Sequence, residues 1–335
     1  MTLQFLSSSA ALARDSGDEL GGALLGPRPP EPAPRWPAQT ICAPLLGADL
    51  HVVQETWLRA RPTQHGDSEG IVWRRADDIL YGVIELAEAD FAADAGASPL
   101  QAASEAAYRR IFRLLEAQQL THLWRVWNYM ADINAHSHGL ERYRQFNVGR
   151  QLAFAAHHRS ASGNVPAACA IGLDGGPLSV AFLAGETPAV PFENPRQISA
   201  WHYPADYGPR APTFSRAALV HPPGQEILFI SGTAAIVGHQ SLHAGDVVAQ
   251  CREAMANIAA VVDAANRGAR SRPFTLDELS YRVYVRHAGD FPAVRAALAP
   301  VIGQAEVLYL QAAICRAELL LEIEAQASHP LEPTP

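Results

Sequence analysis

The chain has 335 residues, 48% of them hydrophobic and 18% charged, which is ordinary globular composition with room for one large domain or two of roughly 150 residues each. A net charge of −8 argues against nucleic acid or an anionic membrane as the main partner, and no apolar run approaches the roughly 20 residues that span a bilayer. All 26 basic residues are arginine, which removes Schiff-base chemistry, pyridoxal phosphate attachment and a Walker A phosphate loop together.

The opening stretch MTLQFLSSSAALARDSGDEL has no basic region and carries acids early, so a secretory signal is not expected. Residues 1–37 end in GPRPPEPAPRWP and read as a poorly ordered lead-in that builds no core. Strand-like pieces follow in TICAPLLG, ADLHVVQETWL and ILYGVIELAE. Ser98-Pro99 then supplies an N-cap with proline at the first helical position, and Ala107, Tyr108, Ile111, Phe112, Leu114 and Leu115 recur at helical spacing. HLWRVWNYMADI reads as a strand, ERYRQFNVGRQLAFAAHH as a second helix and PAACAIGLD as another strand.

The second half repeats that order. EILFISGTAAIV is strand-like, and DVVAQCREAMANIAAVVDAANRG is an amphipathic helix with Val247, Cys251, Met255, Ile258 and Val262 on one stripe. LSYRVYVR is a strand, FPAVRAALAPVIG a helix, and EVLYLQAAIC and LLLEIEA are strands. The chain therefore reads as α+β, with two β-α-β-α-β units in tandem and helices on one face of each sheet.

Between the halves, ISAWHYPADYGPRAPTFSRA sets aromatic and arginine side chains among prolines at 204, 209 and 212. Proline fixes φ and removes a backbone donor, so this is a stiff loop and neither helix nor central strand. Tyr203, Tyr207, Arg210 and Arg216, with Arg150 of FNVGR, are the candidate anion binders, because guanidinium forks onto carboxylates and phenols add neutral donors. Any one of these arginines alone reads as a salt-bridge partner; the cluster together reads as a ligand site.

In LLLEIEA, Glu322 and Glu324 share one strand face with Leu320, while Leu319, Leu321 and Ile323 face the other way. Two readings of Glu322 stay open: a desolvated acid with a raised pKa, suited to proton delivery, or part of a solvated face. Cys315 has the opposite strand parity, so only a tight turn near Arg316–Glu318 would bring it to the same pocket. HSH at 136–138 and HH at 157–158 lack companion ligands, so no metal is expected. Cys42, Cys169, Cys251 and Cys315 show no CxxC spacing and read as free thiols of a cytoplasmic protein.

EILFISG followed by GDVVAQCREAMANIAAVV, with the terminal EIEA, resembles the small YjgF-like reactive-intermediate deaminases over roughly residues 213–327. With FNVGR, ENP at 193–195, the loop AWHYPADYGPRAPTFSRA and ICRAELLLEIEA added, the whole chain resembles a chorismatase. That resemblance implies two YjgF-like (chorismate-mutase-like) units, over 38–195 and 196–329, and no cofactor. It implies chorismate as substrate, with Glu322 protonating the enolpyruvyl methylene. A cysteine in the ICR segment, here Cys315, marks the aromatising members and implies 3-hydroxybenzoate and pyruvate, with 4-hydroxybenzoate as a second product. The family also varies a small residue near Gly232–Ala235. The alternatives are hydrolysis to a dihydroxycyclohexadiene carboxylate, or deamination of enamines and imines, which leaves the proline loop unexplained.

Overall fold

The computed structural model describes residues 2–8, 16–28, 33–47, 52–60, 64–91 and 97–331. In the first half the elements run β1 (Gln4–Ser8), β2 (Glu19–Gly26), β3 (Ala38–Cys42), β4 (Val53–Leu58), β5 (Gln64–Ser68), β6 (Ile71–Ala76), β7 (Ile79–Leu86), α1 (Pro99–Ala117), β8 (His122–Ala131), the short hairpin β9 (His136–Ser137) and β10 (Leu140–Glu141), α2 (Arg142–Ala156), β11 (Ala167–Leu173) and β12 (Leu178–Gly185). In the second they run β13 (Val190–Phe192), β14 (Ala217–Val220), β15 (Gln225–Thr233), the hairpin β16 (Ile236–Val237) and β17 (Gln240–Ser241), α3 (Val247–Asn266), β18 (Ser280–Val285), α4 (Phe291–Ile302), β19 (Val307–Gln311) and β20 (Leu321–Pro330).

The two halves share one topology. The first sheet has the order β11-β8-β12-β7-β6-β5 and the second β19-β18-β20-β15-β14-β13, so the strands correspond one to one from the β11 and β19 edges. In each, the only parallel pair found among the described residues, β8 with β11 and β18 with β19, is joined by a helix, as a parallel crossover requires. The expected β-α-β-α-β run is present twice, and each unit closes with one more antiparallel strand, β12 or β20. β13 already belongs to the second sheet, so the join falls between Gly185 and Val190, ahead of the expected boundary at 195/196.

Local chemistry starts the helices where the sequence signals them. The Ser98 hydroxyl accepts from Gln101 N at 3.2 Å, and the Asp246 carboxylate accepts from Ala249 N at 2.9 Å. α1 and α2 bury Ile111, Phe112, Phe146 and Phe154 on the outer face of the first sheet, and α3 and α4 bury Cys251, Ile258, Val294 and Leu298 on that of the second. The inner faces of both sheets share a third core. No helix among the described residues is long and apolar enough to cross a membrane.

Residues 1–37 depart from the expected lead-in. β1 and β2 join β3 and β4 in a four-stranded sheet of order β1-β4-β2-β3, and every residue of β2 is buried. The prolines that suggested an unstructured segment lie between β2 and β3, not within either strand, and 29–32 fall outside the described residues. Gly21 is part of the reason that the sheet docks: a Cβ there would lie 2.1 Å from the Tyr81 ring, whose hydroxyl donates to Gly22 O at 2.9 Å. Glu55 of β4 pairs with Arg282 of β18 in the same buried core.

Candidate active site

After β19 the chain runs irregularly through 312–320 before entering β20. Leu321, Ile323 and Ala325 face α3 and α4, which turns Glu322 and Glu324 toward the inner side. A turn in which Leu319 N donates to Arg316 O at 3.1 Å reverses the parity upstream of β20. It brings Cys315 Sγ to 3.9 Å from Glu322 Oε2. On the neighbouring strand, the register of β15 against β20 shifts between Ile230 and Thr233. Gly232 lies in that bulge, and a Cβ on it would fall 1.9 Å from Glu322 Oε1. Any Cβ at this position would force the carboxyl or the bulge to shift.

Glu322 is 4% exposed, so the solvated-face reading fails. Burial, then the nearby charge of Glu324, pushes its pKa up to about 8; Arg125, the Cys315 hydrogen bond and Arg216 pull the other way without prevailing. Glu322 therefore holds its proton more tightly than an ordinary carboxyl. The Cys315 thiol is also raised, by burial and then by Glu322, so it is a thiol and not a thiolate nucleophile. Glu324, two residues along the same face, is held differently: it pairs with Arg125 and with Arg282 Nη1 at 3.1 Å, and accepts from Tyr284 Oη at 3.2 Å. The two carboxyls thus stand in unlike surroundings, Glu322 buried beside a thiol and Glu324 paired with two arginines.

The proline loop closes the other side. It carries short 3-10 turns at Ala200–His202 and Ala205–Tyr207, with Tyr203 and Pro204 between them. Arg216 Nη2 donates to Tyr203 Oη and to Ile198 O, each at 2.9 Å. From the terminal segment, the Arg316 guanidinium lies 4.1 Å from the Tyr207 ring centre and 5.2 Å from that of Tyr203. Arg316 Nη1 also donates to His239 O at 2.8 Å and Ser241 Oγ at 3.0 Å. Loop and terminal segment together enclose a cavity of about 220 Å3, completed by Tyr143 and Arg144 of α2. Arg216 Nε and Arg316 Nη2 have no hydrogen-bond partner among the described residues.

Glu322, Cys315, Tyr203, Tyr207 and Arg216 thus line one cavity. Arg150 and Arg210 do not. Arg150 is buried within α2, donating to Asn147 Oδ1 at 2.8 Å with its guanidinium 4.9 Å from the Phe146 ring centre. Arg210 lies exposed beyond the turn at Gly208. The residues the sequence reading passed over are Arg316, next to Cys315 in the ICR segment, and Tyr143, one helical turn ahead of Asn147. Adjacency to Cys315 and the i, i+4 spacing were the available signals.

Residues 55–184 match the family model described as chorismatase FkbO/Hyg5-like, N-terminal. The chain is 39% identical over 278 residues to a protein named chorismatase from Streptomyces rapamycinicus, covering 81% of this chain and 80% of the relative. The chain belongs to the chorismatase family. A second family relative, named 3-hydroxybenzoate synthase, from Streptomyces hygroscopicus, is 36% identical over 284 residues, with 81% and 80% coverage. The crystal structure of a chorismatase superposes with a TM-score of 0.86 at 33% identity, covering 97% of this chain and 98% of that one. The family's fold thus extends over the N-terminal sheet and both units.

Proposed function

We propose that this protein converts chorismate to 3-hydroxybenzoate and pyruvate, with Glu322 as the general acid. The observation that carries the reading is a neutral, buried Glu322 facing a cavity whose other walls supply Arg216 and Arg316. Chorismate is a dianion with two carboxylates and a ring hydroxyl. Arg216 and Arg316 take the carboxylates, and Tyr203 and Tyr207 add neutral donors. Hydrogen bonds to charged groups contribute about 1.5–3 kcal/mol each, so two such contacts supply about 3–6 of the roughly 8 kcal/mol that micromolar binding needs, and the tyrosine donors and ring burial must supply the rest.

Glu322 gives its proton to the enolpyruvyl methylene, leaving an oxocarbenium-like carbon beside the ether oxygen. When the neighbouring ring hydroxyl attacks that carbon, its proton returns to Glu322 and a cyclic ketal forms. The ketal opens with cleavage of one ring carbon–oxygen bond, pyruvate leaves with that oxygen as its ketone, and the ring proton lost on aromatisation ends on the phenol. When water attacks instead, its proton returns to Glu322 and the hemiketal collapses to pyruvate and the diene diol. 3-Hydroxybenzoate and pyruvate together hold the atoms of chorismate, whereas the diene diol and pyruvate require one added water. Cys315, neutral and beside the acid, occupies the space a hydrolytic water needs and favours the aromatic product. Four unpaired cysteines suit a reducing compartment, and we place the protein in the cytoplasm.

Incubation of the purified protein with chorismate, followed by chromatography of pyruvate and ring products, tests this. Equal pyruvate and 3-hydroxybenzoate, with or without a minor share of 4-hydroxybenzoate, is the expected result. Pyruvate with the diene diol overturns the product assignment alone. No pyruvate overturns the function.

A further inference from the structure

The segment 312–320, which carries Cys315 and Arg316 to the cavity, has no continuous strand ladder of its own. Ala313 bridges to Gly172 at one end, and the turn that follows is gripped by one side chain just beyond the end of β18. Arg286 Nε donates to Leu319 O at 2.8 Å, and Nη2 donates to Arg316 O at 2.9 Å and Ile314 O at 3.2 Å. The backbone N of Arg286 donates to Leu320 O at 2.9 Å. On the far side of the turn, Gln250 of α3 donates to Glu318 O at 2.9 Å and accepts from Leu320 N at 2.7 Å. The remaining arm, Arg286 Nη1, donates at 3.1 Å to Asn134 Oδ1, which precedes β9 in the first unit.

We infer that Arg286 is a positioning residue for the reaction: its guanidinium fork sets the turn that holds Cys315 against Glu322 and Arg316 against Tyr207. Arg286 does not line the substrate cavity; it lines a separate hollow with Gly172 and Gln311. Its effect on substrate is therefore exerted through the turn. The parity of β20 makes the turn necessary, since an extended chain through 315–322 would point Cys315 away from Glu322. A planar fork reaches three carbonyls at fixed angles, which the single ammonium of a lysine does not reproduce. Through Asn134 the same fork ties the second unit's turn to the first unit's segment bearing His136 and Glu141 on the cavity rim.

The inference rests on the function proposed above, and its test separates the two. Wild type, Arg286→Gln and Arg286→Lys are compared for folding by circular dichroism, turnover and product ratio with chorismate, and, without substrate, the rate at which iodoacetamide alkylates Cys315, followed on its own peptide. Folded variants are expected to lose turnover by about 10- to 100-fold, because a displacement near 1 Å at reacting groups has effects of that order. Cys315 is expected to label about tenfold faster as the turn opens locally, and the diene diol share is expected to rise, with Lys intermediate. Wild-type turnover and labelling in either folded variant overturn the inference. So does failure of both variants to fold, which assigns Arg286 to folding alone. If the wild type itself releases no pyruvate, the functional reading falls, while the labelling rates still decide whether Arg286 holds the turn.

Discussion

Cys315 Sγ lies 3.9 Å from Glu322 Oε2 across a turn, with the thiol as donor and the carboxyl buried. A strand alone would point these side chains apart. Their meeting puts a buried carboxyl and a thiol on the same wall of an arginine-lined cavity, where the proposed acid and the proposed product-determining residue are neighbours. The consequences below follow from that pair and from the groups around it.

Replacing Glu322 with Gln keeps size and burial but removes the acidic proton. Turnover of chorismate is expected to fall by about 10²- to 10⁴-fold, the usual contribution of general acid catalysis. Chorismate affinity, measured by calorimetry, should stay within a few-fold. Retained turnover would remove Glu322 from the acid role.

The acidic form of Glu322 should also shape the pH profile. Its folded pKa, near 8, lies above its ordinary value of 4.5 because burial disfavours the ionised form. Its contribution to stability is therefore fully present below about 4.5 and is lost as pH rises through about 8. kcat/KM should fall on the alkaline side with an apparent pKa near 8, and above that pH Glu322→Gln should unfold at a higher temperature than wild type. An alkaline limb absent up to pH 10 would contradict this environment.

Cys315→Ala should change the product and not the consumption of substrate. Loss of the sulfur opens space beside Glu322, and the diene diol should increase relative to 3-hydroxybenzoate while pyruvate release continues. An unchanged ratio, read by chromatography, counts against Cys315 as the product-determining residue.

Arg316→Gln and Arg210→Gln form a matched pair. Arg316 stacks on Tyr207 within the cavity, whereas Arg210 is exposed outside it. KM is expected to rise about 10- to 100-fold for Arg316→Gln, as the loss of a charged hydrogen bond implies. Arg210→Gln should stay within about twofold, in keeping with a surface position. The reverse order in steady-state kinetics would place the binding arginine on the loop tip instead.

Gly232→Ala is predicted to be disproportionately harmful for one methyl group. The new Cβ would occupy a point 1.9 Å from Glu322 Oε1, so the carboxyl must move or the bulge in β15 must shift. Turnover should drop more than tenfold, with about 1–3 kcal/mol lost in denaturant unfolding, the range for overpacked cores. A variant indistinguishable from wild type would mean that the carboxyl has another position available.

Much of the fold was legible because its causes are local. The cap at Ser98, the apolar stripe of α3 and the order of strands and helices in each half are set by near neighbours in the chain. β1 and β2 of the N-terminal sheet were missed for the converse reason: β2 is glycine-rich and next to a proline run, its burial comes from Tyr81 of β7, and β3 beside it docks through Gln39 donating to Ser179 Oγ at 3.1 Å. Nothing in residues 19–26 announces those partners.

The candidate site divides in the same way. By itself the sequence determined that 198–217 is a stiff, aromatic and arginine-bearing loop and that Glu322 sits in a mostly apolar stretch of strand, since proline and side-chain alternation act within a few residues. Only the tertiary structure decided that Arg216 and Arg316 line the cavity while Arg150 and Arg210 do not, and that Glu322 is buried with a raised pKa. Those outcomes depend on groups far apart in the chain, such as Arg125 pairing with Glu324 across 199 positions and Arg286 gripping the turn before β20. Electrostatic environment and side-chain convergence are properties of packed neighbours, and a linear pattern carries no record of which neighbours will pack.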